Sequence, residues 1–306
     1  MKILLATDGS ESAHAATEFL IGFPLPKHAE ITVTTVIKEI LPDEKILHLS
    51  EERRQAFEAA RAAAETEAAT LLEAEAQALK AAGLAAEARI EVGSPAEAIV
   101  RLATDLAIDI IVVGSHGLSG PKRFMLGSVS DRVYEYAPCS VLIVKPCPGA
   151  EAGTPDFPQA GEPWRILLAF DDSPPARKAV ELCGSLPLAG GSKVKALSVM
   201  PMIRMYRQDI RQQLSWVWQE KKEAAEKALQ WVDAQIDGKD IEVSTELLED
   251  ADVAQALLDA AADFGSDLVI IGHKSKTAFE RFLLGSVTAR IAHHSPCSVL
   301  SVRTDQ

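Results

Sequence analysis

The residues with the plainest capacity for chemistry lie in Gly114–Val129, GSHGLSGPKRFMLGSV. Gly114 and Gly117 open the stretch, nine residues intervene, and Gly127-Ser128 follow at the start of a helical pattern. A helix start leaves backbone N–H groups without intrahelical partners, and a serine there adds a hydroxyl. Both suit a phosphate group. Glycines at such a point are expected to turn the chain through positive φ and to let the backbone approach a ligand with no Cβ between them. The spacing is not that of a Walker loop: GxxxxGK[ST] is absent and no lysine follows the second glycine.

Such a cradle has to be held by something rigid. Ile110-Ile111-Val112-Val113, apolar and β-branched, immediately precedes it and predicts a buried strand of a parallel sheet. A helix from about Ser128 to Tyr136 follows, and then a further strand, Cys139–Val144. Upstream, Ile3–Ala6 predicts a first strand ending in Thr7-Asp8-Gly9-Ser10, with Ser10 placed to cap the next helix and Glu11 favourable in its first turn. Ile31–Ile37 is dense in β-branched residues and predicts the second strand. An alanine- and glutamate-rich helix is expected from Ser50 to Ala82, stopped by Gly83. Ala88–Val92 alternates as an edge strand would, and Ser94-Pro95 opens the third helix as cap and first helical residue. Strands alternating with helices predict an α/β doubly wound domain.

The chain contains itself twice. KILLATDGSESAHAATE, from Lys2, recurs as RILLAFDDSPPARKAVE, from Arg165; RFMLGSVSDRVYEYAPCSVLIVK, from Arg123, recurs as RFLLGSVTARIAHHSPCSVLSVR, from Arg281. Repeats of this length are whole domains. A proline- and glycine-rich stretch without periodicity separates them.

The pattern G-x2-G-x9-G-[ST] directly after an apolar strand resembles the ATP-binding signature of the universal stress protein family. The resemblance covers nearly the whole chain as two tandem domains, residues 1–146 and 164–306, joined by a linker at 147–163. It implies a five-stranded parallel sheet of order 3-2-1-4-5 in each, with helices on both faces. It also implies an adenine nucleotide, ATP or else AMP or ADP, in the first domain, with Mg as a companion of the phosphates. The base would lie against Thr7, Asp8 and Val36, the ribose near Val113, Gly114 and Ser115, and the phosphates on Gly117, Gly127, Ser128 and Val129. Read on their own, Asp8 serves equally as a helix cap, Val36 as core, and Gly127-Ser128 as an ordinary helix start. His116 reads as a solvated side chain, and Lys122 as the nearer of two cations, ahead of Arg123, to screen phosphate charge.

The second copy departs from the signature. Ser275 stands where Gly117 does, and Asp172 replaces Gly9 beside Asp171. A Cβ and an added negative charge at these points both weigh against a polyphosphate, so the expected stoichiometry is one nucleotide per chain. Walker B, charge-clamp and adenylation motifs are missing from the sequence, and phosphoryl transfer needs a positioned metal, a clamp and an activated nucleophile. The expectation is therefore a stress-responsive binding module, at most a slow ATPase. A structural or interaction protein of the same fold that binds no nucleotide stands as the alternative.

A net charge of −13, with 47% hydrophobic and 25% charged residues, suits a soluble globular chain and argues against nucleic acid or an anionic membrane as partner. No apolar run reaches the roughly 18–20 residues of a membrane span, and a strand begins at Lys2, so no signal peptide is expected. Four cysteines without CxxC spacing fit a reduced, cytoplasmic setting. The near-identical last strands, from Cys139 and from Cys297, are expected to pair the two copies as an intrachain pseudo-dimer, and the Trp216-Trp218 region is a candidate surface for a homodimer.

Overall fold

Short apolar runs, many of them β-branched, set the central strands of both copies. The computed structural model describes residues 1–39, 50–117, 126–145, 157–202, 215–236, 240–273 and 286–304. Two compact units divide the chain: Met1–Ile21 with Lys27–Val144, and Gly22–Pro26 with Lys145–Gln306.

In the first unit the elements are β1 (Lys2–Ala6), α1 (Glu11–Gly22), β2 (Glu30–Ile37), α2 (Glu51–Ala81), β3 (Ala85–Val92), α3 (Pro95–Asp105), β4 (Ile110–Gly114), α4 (Ser128–Tyr136) and β5 (Ser140–Val144). All pairings are parallel: β1 lies between β2 and β4, β3 flanks β2 and β5 flanks β4. The order is thus β3-β2-β1-β4-β5. Every residue of β4 and β5 is buried, which is why those segments read as unbroken apolar runs. β3, at the edge, is mostly exposed or half-buried.

The helix expected at Ser50–Ala82 is α2, and its end shows why Gly83 stops it. Gly83 has φ +84°; its N–H bonds Lys80 O at 2.9 Å, and the Leu84 N–H bonds Leu79 O at 3.1 Å. These two bonds form a Schellman close, which requires a left-handed residue. α3 ends the same way, but there the left-handed residue is Ala107, at φ +50°. Ser94 occupies the N-cap position of α3 without a side-chain capping bond, so only half of that expectation holds.

In the second unit β6 (Arg165–Ala169), α5 (Pro174–Ser185), β7 (Lys193–Pro201), α6 (Ser215–Gln235), β8 (Glu242–Asp250), α7 (Val253–Phe264), β9 (Leu268–His273), α8 (Ser286–His294) and β10 (Ser298–Arg303) repeat the plan. The order β8-β7-β6-β9-β10 matches the first unit strand for strand, again all parallel. Of its tryptophans, Trp231 stacks on Phe170 with centroids 6.1 Å apart, whereas Trp216 is 65% exposed. Part of the stretch expected to be linker is packed: Phe157 is buried, as is Trp164 just beyond its end. Among the described residues no helix is long and apolar enough to cross a membrane.

Candidate functional site

The first site begins where β1 ends. The register sets Ala6 beside Thr34 of β2 and beside Val113 of β4, so strand ends as much as a hundred residues apart in sequence open into one crevice. Thr7 extends the ladder by one bond, its N–H donating to Thr34 O at 2.9 Å. Gly9, at φ +74°, then turns the chain. The Ser10 N–H donates to Asp8 Oδ1 at 3.0 Å, and the Ala13 N–H donates to Ser10 Oγ at 3.2 Å. Ser10, not Asp8, is therefore the helix cap.

Asp8 instead faces the glycine loop. A Cβ placed on Gly117 would lie 2.6 Å from Asp8 Oδ2, too close for two non-bonded heavy atoms. Gly114 is glycine for a similar reason: a Cβ there would meet the Ser12 carbonyl oxygen at 2.5 Å and the Ala13 nitrogen at 2.9 Å, where α1 crosses the end of β4. At Gly127 a Cβ would stand 3.4 Å from the Gly117 nitrogen and from His116 Cα. None of these three glycines has positive φ. The expected left-handed turn is thus corrected: it falls at Gly9, and the signature glycines serve close approach alone.

Hydrogen bonds tie the loop ends together. Ser115 N–H donates to Val144 O at 2.9 Å and Gly127 N–H to Ser115 O at 2.8 Å; Ser130 Oγ donates to Gly114 O at 2.7 Å. Gly127 is the N-cap of α4, so the first-turn N–H groups from Ser128 onward have no intrahelical acceptor. Ser128 is exposed, Val129 half-buried, and Val113 and Ser115 are buried. Val36 is half-buried, two residues past the point where β2 pairs with Ala6.

His116 is not a solvated side chain. Its Nδ1 lies 2.9 Å from Ser115 Oγ, and its Nε2 is buried with no hydrogen-bond partner among the described residues. Thr34, which the motif does not flag, likewise buries an Oγ1 without a partner there. It sits two residues before Val36 and so on the same strand face, the one signal that could have found it. Lys122 and Arg123 lie outside the described residues, as does Ser275 in the second copy. Among the described residues no group of three or more His, Cys, Asp or Glu side chains is placed to hold a metal.

Carboxylate Asp8 can only accept hydrogen bonds, so it suits the donor groups of a base or ribose. The Cβ-free wall of Gly117 and Gly127, followed by the first-turn N–H groups of α4, suits phosphate.

The second unit builds the same turn with other residues. Phe170 N–H donates to Leu197 O at 2.9 Å, as Thr7 does to Thr34. Ser173 N–H donates to Asp171 Oδ1 at 3.2 Å, as Ser10 does to Asp8. Asp172 holds the left-handed position at φ +59°. The charge expected to repel phosphate is largely committed, because Arg177 Nη2 lies 2.6 Å from Asp172 Oδ1. His273 replaces Ser115; its Nδ1 is 3.1 Å from Ser301 Oγ. Burial, aided by the charge of Arg303, lowers the His273 pKa to about 4, so the ring is neutral near pH 7.

Comparison with known proteins agrees with this duplication. The family model described as the universal stress protein family matches residues 1–145 and again 164–303. The universal stress protein YxiE of Bacillus subtilis is 30% identical over 145 residues, which is 47% of this chain and 98% of the relative. The crystal structure of a universal stress protein from Archaeoglobus fulgidus superposes with a TM-score of 0.67 at 23% identity, covering 99% of this chain and 98% of that one; at that identity the likeness speaks for the fold. With one match on each half and the same strand order in both units, the chain belongs to the universal stress protein family, as a tandem of two of its domains.

Proposed function

We propose that the first unit binds an adenine nucleotide, ATP or its di- or monophosphate, and that the chain acts in the cytoplasm as a stress-responsive regulatory module with at most slow turnover. The observation that carries this reading is the facing of Asp8 and Gly117. The carboxylate and the loop backbone lie so close that a Cβ on Gly117 would displace Asp8, and the first-turn N–H groups of α4 continue the same wall. Buried Nε2 of His116 adds a polar atom in need of a partner beside that wall. The base would take Thr7, Asp8 and Val36, the ribose Val113, Gly114 and Ser115, and the phosphates Gly117, Gly127, Ser128 and Val129. Magnesium, where bound, would neutralise phosphate charge.

Mass spectrometry of nucleotide released from the purified full chain, followed by calorimetric titration of the stripped protein, tests the reading. An adenine nucleotide released, and one site per chain on titration, is the expected result. No retained nucleotide and no binding heat with ATP, ADP or AMP would refute it in favour of an interaction protein without this ligand; two equivalent sites would refute its restriction to the first unit.

A further inference from the structure

The second unit holds a cavity of about 270 Å³ at the carboxyl ends of β6, β7 and β9, bounded also by α7 and α8. This is the place in the unit that corresponds to the candidate nucleotide site of the first, and its walls are of a different kind. Apolar residues predominate in the lining, Phe170, Leu197, Val199, Leu257 and Val287 among them. By register, Phe170 and Leu197 stand where the first unit has Thr7 and Thr34. Two hydroxyl-bearing residues at one place have thus become two large apolar ones. Phe170 is further fixed from behind by Trp231, stacked at an interplanar angle of 21°.

Charge points the same way. The polar members of the lining are Asp171, His273 and Thr288, an anion, a neutral imidazole and a hydroxyl. Arg303 lies beside His273 but outside the lining, and two further arginines near this end of the unit are held elsewhere. Arg177 pairs with Asp172 and lies 4.7 Å over the Trp231 ring. Arg290 of α8 makes bonds of 2.7 and 2.8 Å to the two oxygens of Asp252. Among the described lining residues a phosphate entering here would meet a carboxylate and apolar carbon, with Arg177 and Arg290 already engaged; transfer of an anion to such surroundings is disfavoured.

We propose that this crevice is a binding site for a small, uncharged, largely apolar molecule without phosphate, separate in ligand class from the first unit's site. Its volume is near the lower end of small-molecule pockets, enough for a compact compound of up to three rings. Apolar walls remove the ligand's carbon surface from water, and Asp171, His273 and Thr288 make the remaining wall polar. The proposal stands whether or not the first unit binds a nucleotide.

The test uses the full chain and the neutral dye N-phenyl-1-naphthylamine, followed by fluorescence. Saturable binding of one dye per chain is expected, undisturbed by millimolar ATP. The double variant Phe170→Thr with Leu197→Thr installs the residues that the first copy carries there, and should weaken the dye at least about tenfold, the 1.4 kcal/mol equivalent. Should that variant melt early by circular dichroism, Val287→Trp, which fills the cavity instead of hollowing it, should also abolish saturable binding. Absence of saturable binding to the parent chain, displacement of the dye by ATP, or unchanged affinity in a folded variant would overturn the proposal.

Discussion

The two crevices share a backbone and differ in what lines it. In both, a strand end makes one more ladder bond, a left-handed residue follows, and an aspartate accepts from the serine two positions on. Gly114 and Gly272 are both pinned by the helix that crosses them, since a Cβ on either would collide with that helix's backbone. What distinguishes the sites is side-chain chemistry. Thr7, Thr34 and Ser115 give the first a hydroxyl-rich lining; Phe170 and Leu197 give the second a more apolar one, with the imidazole of His273 in place of Ser115. A duplicated fold keeps its shape because strand pairing and close helix–strand contacts are backbone matters, whereas ligand class is decided by the few side chains at the strand ends.

The largest expected break in the symmetry is in acid. His273 is held with a pKa of about 4, against about 6.5 when unfolded. The folded value is the lower one, so the stability conferred by the neutral ring is complete above pH ~6.5 and is lost as pH falls towards 4. By linkage the loss reaches about 3 kcal/mol near pH 4. His273→Ser installs the first copy's residue and should remove that dependence. Denaturation of the parent chain and the variant at pH 7 and pH 4 checks it; parallel losses in both would mean that the ring is not desolvated.

Next in size is Gly117→Ser, which copies Ser275 into the first loop. Its effect does not come from a left-handed backbone, because Gly117 has none; the new side chain would have to push Asp8 aside. Affinity for ATP should fall at least about tenfold, roughly 1.4 kcal/mol, with the melting temperature little changed. Titration showing full affinity would mean that the Asp8–Gly117 approach does not shape the site.

The smallest effect concerns the ends of α3 and α7. Gly265 closes α7 at φ +62°, whereas Ala107 sits left-handed after α3 at φ +50°. A Cβ in that conformation costs about 1 kcal/mol or more, partly offset by the greater freedom of glycine in the unfolded chain. Ala107→Gly should therefore stabilise the first unit by about 0.5 kcal/mol, read from urea denaturation. A destabilised variant would show that Ala107 is better packed than its backbone suggests.

Much of this was legible in the residues. The β-branched runs, the stop at Gly83, the Ser10 cap and the duplication are local patterns, and the elements they predict are present with ends shifted by a few residues. The glycine signature located the first crevice through its resemblance. Two readings went astray for one reason: each depended on what approaches through space. His116 is not solvated, because its Nδ1 meets Ser115 Oγ and its Nε2 is buried; and the signature glycines are crowded, not left-handed.

Sequence alone determined the number of copies, the alternation of strand and helix in each, and which copy lost the signature, since all three are written in nearest-neighbour chemistry and repeat spacing. Tertiary structure alone decided that Asp8 meets Gly117, that His273 is desolvated, and that Phe170 and Leu197 wall a cavity. Those facts follow from parallel register: placing Ala6 beside Val113, and Ala169 beside Leu197 and Ile271, brings together residues that no local pattern connects.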